Sequence, residues 1–194
     1  VREALEAATQ CGVQYLTLYA FSTENWNRPK EEVDGLMSLL VETITKEIDS
    51  LHKNNVIVKT IGDLDALPGN CGTELKAATQ KTISNTGTTL ILALNYSSKI
   101  EIISAIKSIA GQYKNDSISL DDITNELVDS NLYTAGIPHP ELLIRTSGEI
   151  RISNFLMWQI AYSELYFTNK LWPDFKQEDF YQAIYDYQNR ERRF

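Results

Sequence analysis

Two arginines close together in the sequence are the residues of this chain best suited to bind a ligand. Arg145 and Arg151 lie six residues apart in the segment RTSGEIRISN, with Gly148 between them. A guanidinium group is a permanently charged, fork-shaped donor that matches paired phosphate oxygens, and glycine lets a backbone approach a ligand closely. The spacing therefore predicts a phosphate or diphosphate site. A pair of surface salt bridges with Glu149 is an equally good interpretation of the same residues.

The residues that follow extend this prediction towards a helix and a metal. Ser153 and Asn154 precede the apolar run FLMWQIAY, and both are typical N-cap residues of a helix whose amide end attracts anions. Glu164 closes the run and offers a carboxylate to a metal ion. A glutamate near a helix end is more often solvated, and Mg²⁺ needs further oxygen ligands such as substrate phosphates.

The segment STENWNRP, residues 22–29, is the second candidate for ligand binding. Trp26 offers a flat apolar surface beside the amide of Asn25 and the guanidinium of Arg28, a combination suited to a ligand with a charged head and a hydrocarbon body. The alternative is a loop that buries its tryptophan in the core and starts the next helix at Pro29.

Alternating strand and helix patterns predict the elements that must position these residues. Short β-like runs occur at 13–21, 56–62, 88–96 and 140–146. Helical spacing predicts helices at 33–51, 73–84, 98–113, 120–130, 156–166 and 177–193. Such alternation predicts an α/β fold with a mainly parallel central sheet flanked by helices, in a single domain over residues 1–194.

Polar clusters follow each of the predicted strands. They are STENWNR at 22–28, GDLD at 62–65, NYSSK at 95–99 and RTSGEIR at 145–151. Ligands of open α/β sheets bind beyond the carboxyl ends of the strands. We therefore expect the four clusters to line one shared crevice.

Composition limits the classes of function. The net charge of −8 argues against a general nucleic-acid binder, which needs a broad basic surface. Cys11 and Cys71 are far apart and have no metal-type spacing, so a reducing, cytoplasmic setting is the simplest interpretation. The longest apolar runs are too short to cross a bilayer.

The first residues predict a helix that is already under way. VREALEAATQCG has helical apolar spacing and a glycine stop at Gly12, yet no N-cap residue precedes it. We therefore expect upstream elements to be absent from this sequence.

Four motifs in order resemble the cis-prenyltransferases: FSTENWNRP, NTGTTLILALNY, RTSGEIRISNFLMWQIAYSELYF and LWPDF. The resemblance runs from about Val13 to the closing NRERRF. It implies a parallel sheet ringed by helices around a hydrophobic tunnel, a homodimer, and Mg²⁺ as cofactor. The implied reaction joins isopentenyl diphosphate to an allylic diphosphate such as farnesyl diphosphate. The product would be a long polyprenyl, by family default undecaprenyl, diphosphate for the lipid carrier of cell-wall synthesis. Contact with a membrane would come through this lipid product.

The resemblance also implies roles for individual residues. Arg145, Arg151 and Ser153, with Ile152 between the last two, match residues that bind isopentenyl diphosphate. Glu164 matches a metal ligand. The substrate-binding motif covers Ser22, Thr23, Glu24, Trp26 and Arg28. Asn25 matches the residue assigned to proton removal.

The sequence departs from the family pattern in three places. The family's strand and phosphate loop of the type DGNGRW, with its metal-binding aspartate, would precede Val1, and without it we expect the chain alone to be inactive. The usual NYGGR is NYSSK at residues 95–99, which weakens any role for that loop. Ile150 stands where relatives carry His, which removes a contact near the metal.

A second function remains open. The chain would also suit a non-catalytic supporting subunit of a two-subunit prenyltransferase. The intact FSTENWNRP favours the enzyme, because a purely supporting subunit has no need of Asn25 and Trp26 together. In the enzyme, the apolar faces of the helix at 33–51 and of the strand at 88–95 would line the channel for the growing chain.

Overall fold

The computed structural model describes residues 1–191 of the chain. Within them the strands are β1 (Tyr15–Ser22), β2 (Ile57–Ile61), β3 (Thr89–Tyr96), β4 (Leu142–Arg145) and β5 (Glu164–Phe167). The α-helices are α1 (Arg2–Gln10), α2 (Lys30–Lys53), α3 (Cys71–Thr82), α4 (Ser98–Lys114), α5 (Asn125–Asn131) and α6 (Gln177–Gln188). Short 3₁₀ helices occupy Thr23–Asn27, Leu120–Asp122 and Trp172–Asp174.

The strands form two separate sheets, in which every pairing is parallel. β3 lies between β1 and β2, and β4 pairs with β5. All eight residues of β3 are buried, as expected for the central strand of a sheet that is covered on both faces. The predicted α/β fold with a parallel sheet flanked by helices is confirmed.

Alternate residues of β3 pack into different apolar clusters. Leu90, Leu92 and Leu94 of β3 join an apolar cluster with α2 and α3, whereas Ile91 and Ala93 point to the opposite cluster. A third cluster joins α1 and α6, and it is flanked by Leu16 of β1 and Ile144 of β4. The strand period of two thus divides the core into layers on the two faces.

The predicted helix at 156–166 is wrong. Residues 151–163 form successive turns, and Glu164 begins strand β5. Ser153, Asn154 and Leu156 have positive φ values of 50°, 60° and 45°, a conformation that a right-handed helix excludes. Ser153 and Asn154 are therefore not helix caps, and Glu164 is a strand residue.

Two further helices differ in extent. The prediction at 120–130 divides at Ile123 into a 3₁₀ turn and α5, because Thr124 caps α5 by accepting a hydrogen bond from the Leu127 amide. The prediction at 177–193 ends early, at Gln188, and residues 192–193 lie outside the described residues. Within residues 1–191, no helix has both the length and the apolar character needed to cross a membrane.

Candidate diphosphate site

The polar segments after β1, β2, β3 and β4 gather at the carboxyl ends of the strands, and Asn95 joins three of them. Its Oδ1 accepts a hydrogen bond from Trp26 Nε1 at 2.7 Å, and its Nδ2 donates to the Asp63 carbonyl at 2.9 Å. Asn95 is the penultimate residue of β3 and has a φ of 46°, which asparagine tolerates better than most residues. One side chain thus fixes the positions of the loops after β1 and β2 relative to β3.

Gly62 allows the loops after β2 and β3 to approach closely. Its φ is 109°, and a Cβ atom at this position would lie 2.0 Å from the Leu94 carbonyl oxygen. No other residue fits there without moving the backbone. Asp63 then turns the chain, because its Oδ1 accepts hydrogen bonds from the amides of Asp65 and Ala66. The side chain of Asp63 therefore has a turn role in the structure.

Asn154 joins the arginine segment to the other loops. Its Nδ2 donates to Glu24 Oε1 at 2.8 Å, its Oδ1 accepts from the Lys99 amide at 3.0 Å, and its carbonyl accepts from the Ser98 amide at 2.9 Å. The segment at 145–154 is thereby tied to those at 22–28 and 95–99. We call this assembly, together with 62–65, the four-loop crevice. These contacts confirm that the four clusters meet, and that they line a ligand-binding crevice stays a prediction.

Among the arginines of the crevice, Arg145 is the one that has no ion-pair partner within residues 1–191. It is the last residue of β4, and its Nε is buried without a hydrogen-bond partner among residues 1–191. No carboxylate of the described residues forms an ion pair with its guanidinium group. A cation left unpaired at a partly buried position is costly unless an anion binds there. Arg145 therefore marks an anion site.

The pKa of Tyr19 responds to the charges of Glu24 and Arg145. Burial is the largest reason that the pKa of Tyr19 is raised, to about 12, and the negative charge of Glu24 raises it further. A hydrogen bond with Ser22 and the positive charge of Arg145 act in the opposite direction. The Tyr19 ring stacks on Phe155 with centroids 4.5 Å apart, and its hydroxyl donates to the Tyr96 carbonyl. Glu24 and Arg145 thus lie within electrostatic reach of one tyrosine.

Arg151 and its neighbours differ from Arg145. Arg151 is exposed and forms an ion pair with Glu149, so the salt-bridge interpretation holds for this arginine and not for Arg145. Ile152 packs against the apolar cluster of β3 and β4, which anchors the segment. Gly148 has a φ of 69°, and a Cβ atom there would lie 3.0 Å from the Asn169 side chain. The positive φ and the nearby Asn169 side chain both favour glycine here, which explains the residue without a ligand.

The loop after β1 is held by its own hydrogen bonds. Asn25 Oδ1 accepts from the Ser22 amide at 2.8 Å. Burial acts to raise the pKa of Glu24, but hydrogen bonds from Asn154, from its own backbone, and from Ser22 and Thr23 lower it below its ordinary value. Glu24 is therefore a carboxylate at neutral pH.

The two large side chains of this loop lie at its surface. Trp26 packs edge-on against Phe21, with centroids 5.1 Å apart, and remains 37% exposed. The prediction of a fully buried tryptophan does not hold. Arg28 is exposed and forms an ion pair with Glu32 of α2. The loop thus presents an aromatic surface and a cation to the solvent side of the crevice.

Glu164 is not brought into the crevice. It pairs with Leu142 at the start of the β4–β5 ladder, whereas Arg145 pairs with Phe167 at its end, about 10 Å away along the strands. Its Oε2 accepts from Arg190 Nη1 at 2.7 Å, and it borders a cavity of about 330 Å³. No group of three or more acidic, histidine or cysteine side chains within residues 1–191 is placed to hold a metal. Glu164 would supply one hard oxygen ligand, which fits Mg²⁺ when phosphate oxygens supply others.

The sequence placed Asn95 in a polar cluster and Asn154 at a helix cap, but it did not indicate that they join the loops, and it did not single out Tyr19. An asparagine that directly follows an apolar strand, as in ALNY, is one available signal, because such positions favour positive φ. No comparable signal indicated the joining role of Asn154, because the helix that it was predicted to cap is not formed.

Comparison with known proteins shows a family match and relatives that are about half identical to this chain. The family model described as putative undecaprenyl diphosphate synthase matches residues 1–194. The chain belongs to this family. An isoprenyl transferase of Clostridium tetani is 52% identical over 194 residues, which are the whole of this chain and 76% of that protein. A ditrans,polycis-undecaprenyl-diphosphate synthase of Micrococcus luteus, described as specific for (2E,6E)-farnesyl diphosphate, is 51% identical over the whole chain and 78% of its own length.

A solved structure of the family has the same fold. Lavandulyl diphosphate synthase from Lavandula x intermedia, crystallised with dimethylallyl diphosphate, superimposes with a TM-score of 0.96 at 33% identity. The match covers 99% of this chain and 83% of that one. The family is one of prenyltransferases, so this chain is a member of an enzyme family.

Proposed function

We propose that this chain elongates a prenyl chain in the cis configuration. It would condense isopentenyl diphosphate with an allylic diphosphate such as farnesyl diphosphate and give a long polyprenyl, by family default undecaprenyl, diphosphate for cell-wall lipid carrier synthesis. The observation that carries the proposal is the buried, unpaired Nε of Arg145 in the four-loop crevice. The names of the relatives from Clostridium and Micrococcus support it.

Arg145, Arg151 and Ser153 would bind the diphosphate of isopentenyl diphosphate. Arg145 offers its unpaired donors from the end of β4, while Arg151 would exchange Glu149 for the ligand. Such an exchange is inexpensive because exposed ion pairs contribute little. Ile152, packed on the core, would hold the backbone between Arg151 and Ser153 in place.

The reaction forms one carbon–carbon bond and breaks one carbon–oxygen bond. As the allylic diphosphate departs, cationic character develops on the allylic carbon, and the isopentenyl double bond attacks it. Donors that stabilise the departing diphosphate lower the barrier, and positioning aligns the double bond. A proton then passes from the isopentenyl unit to an oxygen of the departed diphosphate, and Asn25 is proposed for this proton-removal step. Its Oδ1 already accepts from the Ser22 amide, and an amide is a weak base, so we assign it the orientation of that proton.

The remaining residues of the loop after β1 would bind the allylic substrate. Ser22, Thr23 and Glu24 form the hydrogen-bonded turn, Trp26 offers its exposed ring to the hydrocarbon, and Arg28 offers a cation to the phosphates. Mg²⁺ is the proposed cofactor, and when bound it would neutralise the departing diphosphate. Glu164 is the ligand that the family resemblance assigns to it, although its carboxylate lies at the opposite end of the β4–β5 ladder from Arg145.

The growing hydrocarbon needs an apolar wall. We propose α2 and β3 for this role, because Val33, Met37 and Ile44 of α2 face the leucines of β3 in one cluster. A channel between the two elements would open only if one of them moved. Most residues of α2 are partly buried or exposed, so a movement of α2 would expose less of the core than a movement of β3. A single domain, a homodimer and a cytoplasmic setting complete the proposal.

The proposal is tested by prenyl transfer with the complete reading-frame product. Farnesyl diphosphate, labelled isopentenyl diphosphate and Mg²⁺ are supplied, a chelator serves as control, and chromatography measures product length. Formation of a long polyprenyl diphosphate that the chelator abolishes is the expected result. The supporting-subunit alternative predicts that folded protein alone transfers nothing and that a catalytic partner restores transfer.

A further inference from the structure

Helix α4 exposes apolar side chains along one face. Ile100, Ile103, Ile106 and Tyr113 are 47%, 51%, 59% and 47% exposed, and their spacing places them on the same side of the helix. The opposite side, which includes Glu101, Ala105 and Ile109, is buried against the protein. Surface helices normally present polar residues to water, so this exposed face is unusual. We call it the α4 face.

Lysines lie between the apolar residues of the α4 face. Lys99, Lys107 and Lys114 are exposed, and none of them forms an ion pair with a carboxylate of residues 1–191. Within α4, which the structure describes completely, Glu101 is the only acidic residue and it is fully buried. A chain with a net charge of −8 thus has an apolar face on α4 whose charged side chains are all lysines.

We propose that the α4 face binds the surface of an anionic lipid bilayer. Isoleucine and tyrosine side chains would enter the interface while the lysine stems reach the anionic headgroups. A second copy of the chain fits less well, because two α4 faces would oppose lysine to lysine. A protein partner fits less well too, since lysine is depleted in the cores of protein interfaces.

The position of α4 connects this surface with the proposed function, on which this step rests. The helix begins at the crevice, where the Lys99 amide donates to Asn154 Oδ1. A long polyprenyl product is almost insoluble in water because each buried methylene group favours an apolar phase. Binding through α4 would hold the crevice next to the bilayer that receives the product.

Vesicle flotation of the full-length protein tests the proposal. Vesicles of phosphatidylcholine with phosphatidylglycerol should bind the protein, and added salt should weaken this binding. The double variant Ile106→Ser/Lys107→Glu should lower the partition coefficient about tenfold or more, since each lysine at an anionic surface contributes roughly fivefold. The matched control Ile83→Ser/Lys53→Glu also removes an exposed isoleucine and reverses an exposed lysine, and its partition should equal that of the parent.

Several results would overturn the proposal. These are no binding to anionic vesicles, equal binding to pure phosphatidylcholine, or equal losses in the two double variants. Sedimentation of the α4 variant provides a further check, because loss of self-association with unchanged vesicle binding would assign the face to a second copy. Prenyl transfer is assayed separately in detergent. Failure of transfer with salt-sensitive, α4-dependent flotation would contradict the enzyme and support the membrane surface.

Discussion

Arg145 and Glu164 stand at opposite ends of the same strand pair, and their charges are satisfied in opposite ways. Arg145 has a buried Nε without a partner at the crevice end, whereas Glu164 is neutralised by Arg190 at the other end. An unpaired charge is retained in a fold only at a free-energy cost. The comparison shows that the arginine end is prepared for an external anion, while the glutamate end is already occupied by a cation of the chain.

The largest effect is expected for Arg145→Ala. Removing a charged donor that binds and positions the diphosphate of isopentenyl diphosphate should lower kcat/KM for this substrate about 100- to 1000-fold. Steady-state kinetics with each substrate varied in turn measures this loss. Arg2→Ala is the matched control, because Arg2 is an exposed arginine paired with Glu47 outside the crevice. Unchanged kinetics for isopentenyl diphosphate would contradict the assignment of Arg145.

The second effect concerns Asn154, whose hydrogen bonds hold the arginine segment against the other loops of the crevice. Asn154→Ala loses the hydrogen bonds to Glu24 and to the Lys99 amide and strains a residue with a φ of 60°. Misplaced binding groups should lower kcat/KM about 10- to 100-fold. Asn154→Gly relieves the strain but does not restore the hydrogen bonds. It should therefore be as inactive as Asn154→Ala and more stable than it. Full activity of the glycine variant would show that the hydrogen bonds do not position the site.

The third effect concerns the end of the β4–β5 pair at which Glu164 forms an ion pair with Arg190. Arg190→Ala frees Glu164 and should cost about 1 kcal/mol of unfolding free energy, as expected for a partly exposed ion pair. Mg²⁺ should then raise the melting temperature of this variant more than that of the parent, because the carboxylate no longer has an internal partner. Asp186→Asn is the control, since it removes the other partner of Arg190 and keeps the Glu164 pair. A Mg²⁺ response identical in all three proteins would remove Glu164 from the metal site.

The same comparison explains which parts of the molecule could be predicted from sequence. The strands at β1 to β4 were predictable because each is an apolar run bounded by polar residues, and β3 is apolar enough to be central. The meeting of four polar clusters followed from parallel topology alone. Local patterns were sufficient wherever burial on one face determines the element.

The turns at residues 151–163 could not be predicted in this way. FLMWQIAY has helical apolar spacing, but Leu156 and Ile160 pack on the sheet while Ser98 Oγ accepts from the Met157 amide. These contacts come from β3, β4 and α4, far away in sequence, and they replace the hydrogen bonds of a helix. The pairing of Glu164 with Arg190 was equally hidden, because it joins residues from two separate elements.

The smallest effect tests the charge of Arg145 through Tyr19. The pKa of Tyr19 in the folded state is about 12, chiefly through burial and then through Glu24, compared with about 10 in the unfolded chain. A raised folded-state pKa gives stability that is present below pH 10 and is lost as the pH rises through 12. Given the partial exposure of Tyr19, this loss should be about 1 kcal/mol, and it should be absent in Tyr19→Phe.

Because the Arg145 cation lowers the Tyr19 pKa, Arg145→Gln should move the tyrosinate absorbance titration to higher pH. Saturating pyrophosphate should do the same in the parent protein. Arg145→Gln with an unchanged Tyr19 titration would place the Arg145 charge away from the crevice and remove the contrast between the two ends.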